Sequence, residues 1–213
     1  MPIIGIVQLK GGAGRSTVAT NLAAALAKND TVTLIDADMP QGTASAWYAI
    51  RQEDRPQESL ACISVDNHRD LITVAEKESK ASEWVIIDSP PRIAGITKSI
   101  LLIADLCIVP ASATLADVWA TDDIYTLIQE AEKNGTVQPR ILWNRYRSFT
   151  RSANEIRQGT KAEINLPHFK TQLGFRVSYA DALGAGASVM EWSDPKAKAE
   201  MAAVVAEVKK LTK

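Results

Sequence analysis

The chain has little with which to build a disulfide framework or a zinc centre. It holds two cysteines, Cys62 and Cys107, and two histidines, His68 and His168, in 213 residues. Both cysteines lie in apolar, strand-like runs, and no Cys or His stands at ligand spacing from another. That argues against a stapled secreted scaffold, a zinc site and an iron–sulfur carrier, and makes a reducing cytoplasm the expected setting. No apolar run approaches the roughly 18 residues a membrane helix needs, and the N-terminus lacks a basic-then-apolar signal. Neither sign of charge is in excess: 24 Lys and Arg face 25 Asp and Glu, a formal net charge of -1. Binding to nucleic acid or lipid therefore needs a local patch rather than a global pull. Repeats, low-complexity tracts and linkers are missing too, so residues 1–213 are expected to form a single domain.

What is present is alternation. Candidate strands are Ile3–Gln8, Val32–Asp36, Leu60–Val65, Trp84–Asp88, Leu106–Pro110 and Arg140–Asn144. Between them run helical patterns such as Ser16–Lys28, His68–Ser79, Leu115–Lys133 and Ser148–Gln158. Asn134-Gly135 reads as a helix stop. Asp194-Pro195 reads as an N-cap with proline at the first helical position, opening a last helix to about Leu211. Apolar strands alternating with helices predict an α/β fold, a mainly parallel sheet flanked by helices on both faces. Ligands of such sheets sit beyond the carboxyl ends of the strands.

The first strand runs into Lys10-Gly-Gly-Ala-Gly-Arg-Ser-Thr17, and a helical pattern starts there. Strand, glycine loop and helix start are the context of a phosphate-binding P-loop: backbone N–H groups curl round an anion and the helix adds its positive end. The usual pattern G-x-x-x-x-G-K-[ST] has lysine after the last glycine. Here that position is Arg15, and Leu9 stands where the first glycine would be.

Two strand exits carry acids. Leu34-Ile-Asp-Ala-Asp-Met-Pro-Gln41 places Asp36 and Asp38 two residues apart on an extended exit, able to face one metal–phosphate centre. Solvated loop acids are the plain alternative. Trp84-Val-Ile-Ile-Asp-Ser-Pro-Pro91 ends an apolar strand in Asp88, the Walker B arrangement that orients a Mg²⁺ shell. A strand-ending Asp is also a common helix cap. Loop and both exits in this order form a far more specific signal than any one of them.

With these motifs the chain resembles the ParA/MinD group of deviant Walker A ATPases, most closely the small ParA partition proteins without an N-terminal DNA-binding extension. The resemblance rests on Lys10–Thr17, Leu34–Gln41 and Ile86–Pro91. It continues through Ile108–Trp119, Leu142–Arg145, Phe175–Leu183 and Ser188–Trp192. It implies that Lys10 crosses a dimer interface to the partner's nucleotide, giving a homodimer through sandwiched ATP. It implies a cradle of Gly11, Gly12, Ala13, Gly14 and Arg15, with Thr17 on the α-phosphate. Ser16, Asp36 and Asp88 would hold or support Mg²⁺, Asp38 would position the attacking water, and Asn144 would hydrogen-bond adenine. ATP is favoured over GTP on that last ground. Met39, between Asp38 and Pro40, departs from the family pattern, and so does Arg15. Lysine is a compact point charge whereas arginine is a longer planar fork, so binding is expected to survive better than hydrolysis.

From Arg140 to Arg176 stand eight basic residues and only two acids, Glu155 and Glu163. Arg147, Arg151, Arg157 and Lys170 are candidate contacts to non-specific nucleoid DNA, the partner the resemblance implies. A solvated basic face is the alternative. The resemblance also implies a ParB-like or other adaptor that stimulates hydrolysis, and a cargo such as a plasmid, a chromosome or a protein body. A MinD-like, membrane-associated positioning ATPase is the alternative function. It needs an amphipathic basic tail free to lie on a bilayer, and the last helix offers Ala and Val without a bulky aromatic. Stable membrane insertion is not expected. Trp47, Trp84, Trp119, Trp143 and Trp192 flank strands or sit on apolar helix faces, and core packing is expected for most of them.

Overall fold

The computed structural model describes residues 1–91, 94–133, 137–147 and 150–212. Six strands form one sheet: β1 (Ile3–Ile6), β2 (Val32–Asp36), β3 (Leu60–Ser64), β4 (Trp84–Asp88), β5 (Leu106–Ala111) and β6 (Gln138–Trp143). All pairs are parallel, in the order β3-β2-β4-β1-β5-β6. Helices α1 (Arg15–Leu26), α2 (Thr43–Asp54), α7 (Val177–Gly184) and α8 (Pro195–Leu211) carry the apolar residues of one core. Helices α3 (His68–Ala81), α4 (Ala94–Ile103), α5 (Leu115–Glu132) and α6 (Arg151–Glu163) carry those of the other. The doubly covered sheet matches the expectation from the sequence.

The pleat sorts the strand residues between the two cores. Ile4 and Ile6 of β1 and Ile86 of β4 meet Val18, Leu22 and Leu26 of α1 on one face. Ile3, Val85 and Ile87 meet Leu71 of α3 and Ile100 of α4 on the other. Alternate residues of a strand point to opposite faces, so a strand buried on both must be apolar throughout, as these are. Each fully buried Leu or Ile contributes roughly 1.5–3 kcal/mol by leaving water.

All six expected strands form, with ends one or two residues away. The N-cap of α8 is as expected, the Asp194 carboxylate accepting from Lys196 and Ala197 N–H at 3.0 and 3.1 Å. Helix α6 begins after its expected start, Ser148, which lies outside the described residues, as does Asn134-Gly135. It runs on to Glu163, past the expected Gln158, because Gly159 weakens a helix without ending it. Helices α2, α4 and α7, unassigned above, complete the two layers. The apolar residues of α8, Met201, Val204 and Val208, are fully buried against the sheet, so they are not available to a bilayer. No helix among the described residues is long and apolar enough to cross a membrane.

The candidate nucleotide site

Parallel register brings three strand exits together. Ile6 pairs with Asp88 and Asp36 pairs with Asp88, so the loop after β1 and both acidic exits share one edge of the sheet. The loop's turns use left-handed glycines, Gly12 at φ 75° and Gly14 at φ 92°, a region costly for residues with a Cβ. Gly14 is the N-cap of α1, whose first turn has neither a side-chain cap nor an acid. The opening N–H groups of α1 are thus not satisfied by a capping side chain, which suits an anion. A Cβ at Gly11 or Gly12 would meet nothing within 4 Å, so the loop is open on that side.

Asp88 is fully buried, and neither of its carboxylate oxygens has a hydrogen-bond partner. Burial pushes its pKa up to about 7; the nearby Ser16 hydroxyl and Arg15 pull it down, and Asp36 and Asp38 push it further up. A buried carboxylate with both oxygens unanswered costs several kcal/mol as the anion unless a cation reaches it. Together with the Ser16 hydroxyl it fits Mg²⁺, which takes one or two protein ligands and completes its shell with water and phosphate. Asp36 is placed differently. One of its oxygens accepts from Asp38 N–H at 3.1 Å, the other from both N–H and hydroxyl of Ser45 at 2.8 Å. It ties the start of α2 to the sheet and fixes the backbone of Asp38. Among the described residues no cluster of three His, Cys, Asp or Glu could hold a metal by itself.

Arg15 is buried, and its guanidinium turns back on the protein. Nε–H donates to the Ser89 carbonyl at 2.8 Å, and Nη1 donates to the carbonyls of Gln8 and Lys10, both at 2.6 Å. Nη2 stands 4.0 Å from Asp38 Oδ2, an ion-pair distance too long for a hydrogen bond. Burial lowers the Arg15 pKa, against the pull of Asp88 and Asp38, yet arginine keeps its charge at any ordinary pH. The Asp38 carboxyl is pushed up by its own partial burial, with Arg15 opposing and Asp36 adding.

Asn144 follows β6 and is buried beneath the loop. Its Nδ2 donates to the Ala13 carbonyl at 2.9 Å and its Oδ1 accepts from Arg145 N–H at 2.9 Å. A Cβ at Gly14 would lie 2.2 Å from that amide nitrogen. The two positions are locked together. Beside them Thr17, Asn144, Arg145, Phe175 and Tyr179 line a cleft of about 450 Å³, large enough for a nucleoside. The structure therefore gathers Lys10 to Thr17, Asp36, Asp38, Asp88 and Asn144 on one edge.

Sequence reasoning passed over four residues that organise this edge. Gln8 and Ser89 supply carbonyls to Arg15, and Ser45 answers Asp36. Asn21 is fully buried: its Nδ2 donates to the Thr17 carbonyl at 2.8 Å, and its Oδ1 accepts from Val189 N–H at 2.7 Å and Ser188 Oγ at 3.1 Å. A lone amide among the alanines and leucines of α1 was the available signal. The turn it reaches continues to α2, where Glu191 takes both Nη atoms of Arg51 at 2.9 Å.

The basic candidates have partners of their own. Arg151 is exposed and paired with Glu155 at 2.7 Å. Arg157 lies 5.8 Å from the Tyr146 ring centroid and shares a shallow cleft with Lys170. Arg147 stacks on Phe175, its guanidinium carbon 4.6 Å from the ring centroid. Trp47 and Trp143 are core residues as expected, whereas Trp119 is exposed.

Comparison with known proteins agrees with this fold. The family model described as the CobQ/CobB/MinD/ParA nucleotide binding domain matches residues 4–198. The "Maintenance of carboxysome distribution protein A" of Halothiobacillus neapolitanus is 26% identical, over 88% of this chain and 86% of its own. The chromosome-partitioning ATPase Soj of Thermus thermophilus is 27% identical, over 88% and 87%. Among solved structures, Cyanothece McdA in complex with ATP matches with TM-score 0.84 and 20% identity, covering 100% of this chain and 98% of that one. Pyrococcus furiosus cell division ATPase MinD matches with TM-score 0.81 and 17% identity, covering 99% of each.

Proposed function

The chain belongs to the CobQ/CobB/MinD/ParA nucleotide-binding family, and from that premise we propose that it is a ParA-type positioning ATPase. It binds ATP with Mg²⁺, dimerises through the sandwiched nucleotide, holds DNA without sequence preference, and lets go when an adaptor stimulates hydrolysis. The relatives named for carboxysome distribution and chromosome partitioning suggest the cargo class: a protein body or a DNA molecule to be placed in the cytoplasm along the nucleoid.

The single observation that carries this reading is Asp88. A fully buried carboxylate with two unanswered oxygens, beside a glycine loop and the Ser16 hydroxyl, has no structural purpose of its own and a clear one under a metal–triphosphate. Ser16 and Asp88 would hold the ion, Asp36 would steady Asp38, and Asp38 would orient water. Mg²⁺ would neutralise charge developing on the transferring phosphoryl group. Gly11 to Thr17 would cradle the phosphates, with Lys10 reaching the partner's.

Hydrolysis is slow in this reading. Three of the five Arg15 N–H donors are engaged by backbone carbonyls, so little of the guanidinium is left to meet phosphate oxygens where a lysine would. Sedimentation with and without ATP–Mg²⁺ tests the core of the proposal. The parent chain should pass from monomer to dimer, and Lys10→Ala should bind ATP but stay largely monomeric. A parent chain that remains monomeric at saturating ATP removes the sandwich.

A further inference from the structure

A second cleft opens at the carboxyl ends of β5 and β6, sharing Arg145 and Phe175 with the nucleoside cleft. Two arginines, Arg145 and Arg147, and the exposed ring of Phe175 form its walls. Four hydroxyl residues, Ser112, Thr114, Thr150 and Ser152, complete them, in a volume of about 400 Å³. No carboxylate lies among the described lining residues. The neighbouring cleft beyond Phe175 includes Glu200, whereas the nucleoside cleft, like this one, has no carboxylate among its described lining residues.

Both arginines are held for a purpose that packing does not explain. The Arg147 guanidinium carbon stands over the Phe175 ring, 4.6 Å from its centroid, and a guanidinium resting on a ring loses less freedom on binding than a loose one. Arg145 is the one described non-glycine residue with a positive φ, 52°. Such a conformation costs on the order of 1 kcal/mol or more and concentrates at ligand sites. Neither arginine has a carboxylate partner among the described residues, whereas Arg151 is answered by Glu155 and Arg176 by Glu200. Arginine forks, hydroxyls and no competing acid are the chemistry that recognises phosphate oxygens.

We propose that this cleft is a second phosphate-ester site, distinct from the glycine loop, which takes the phosphate of a nucleic-acid backbone or of a free phosphorylated molecule. In the backbone case it rests on the DNA-binding reading above, and it moves the contact from the outer face of α6 into the cleft.

The test is arginine labelling with phenylglyoxal, mapped by mass spectrometry, on the full chain with its glycine loop saturated by a non-hydrolysable ATP analogue. The probes, at low salt, are inorganic pyrophosphate and short DNA duplexes of two unrelated sequences. Arg147 labelling should slow several-fold with pyrophosphate while Arg151 labelling stays unchanged. If the backbone is the source, the duplexes also protect Arg147. Arg147→Ala should then weaken both duplexes several-fold and lower the salt slope by about 0.9, the share of one phosphate contact. Arg147→Lys should recover part of that affinity. If pyrophosphate protects Arg147 and no duplex binds, the DNA reading falls and the site stands as one for free esters. If duplexes bind through Arg151 and Arg157 and neither probe changes Arg147 labelling, the DNA reading stands and this inference is overturned. Labelling of Arg147 unaffected by either probe overturns it as well.

Discussion

The glycine loop and the cleft between β5 and β6 share one edge of the sheet, yet they use arginine in opposite ways. In the loop, Arg15 is buried and its donors are tied to the carbonyls of Gln8, Lys10 and Ser89. In the cleft, Arg147 is exposed and stands over the face of a phenyl ring. One guanidinium holds the protein together where the family pattern puts a phosphate-binding lysine; the other is poised on a surface where no motif placed it. Positive charge near a phosphate site is therefore a poor guide to which cation meets phosphate. What decides is how many donors the fold has already claimed.

The sharpest way to break that contrast is Arg15→Lys. If the guanidinium is withheld from phosphate by its backbone partners, lysine should raise ATP turnover by about 10–1000-fold, the scale of one well-placed charge in a transition state. Asp38→Ala in that background should abolish the gain. Equal phosphate release from the parent and Arg15→Lys chains would show that the site tolerates arginine and would erase the contrast.

The next largest effect belongs to Asp88. Its folded pKa, about 7, lies above the roughly 3.9 of an unfolded aspartate. The folded chain thus keeps a proton that the unfolded chain releases, and stability falls as pH rises between those values. In ligand-free protein, Asp88→Asn should be more stable than the parent by about 2–4 kcal/mol at pH 8, with the gap closing below pH 5. Denaturant melts across that range measure it, and a gap that does not change with pH refutes it. Adding Mg²⁺ and nucleotide at pH 8 should stabilise the parent far more than the variant.

Stability separates the buried arginine from the exposed one. Arg15→Ala removes three hydrogen bonds, two of them buried, and should cost about 3 kcal/mol or more, whereas Arg147→Ala, losing one exposed stack, should cost about 1 kcal/mol or less. Comparable losses in thermal melts would mean the two arginines are equally structural. Smallest of all, Arg151→Ala should shift stability by less than about 0.5 kcal/mol, since its partner Glu155 is an exposed i, i+4 neighbour.

The same contrast separates what a one-dimensional reading can reach. Strands buried on both faces are apolar throughout, so all six were legible, and the glycine loop and acidic exits sat at their ends in recognisable order. The doubly wound sheet followed, and the match to residues 4–198 agrees with the resemblance those motifs carried. Local pattern says nothing about partners far along the chain. Arg15 meets Ser89 74 residues away, Asn144 meets Ala13 across 131, and Asn21 meets Val189 across 168. None leaves a periodicity. Helix α7 is short, and α2 follows a switch-like loop with a left-handed glycine N-cap, so neither showed the cap-plus-stripe pattern that exposed α8. The basic run was visible as composition, and Glu155 within it, but the pairing of Arg176 with Glu200 on α8 was not.

The contact between Gly14 and Asn144 constrains how this site can change over generations. A side chain at position 14 would collide with the amide at 144, while loss of the amide leaves the Ala13 carbonyl without its donor. Position 144 must therefore shrink before position 14 can grow, and each intermediate on the way carries a damaged loop. A library randomised at position 14 should return glycine even when position 144 is varied with it, because the left-handed turn at φ 92° disfavours a side chain after the clash is gone.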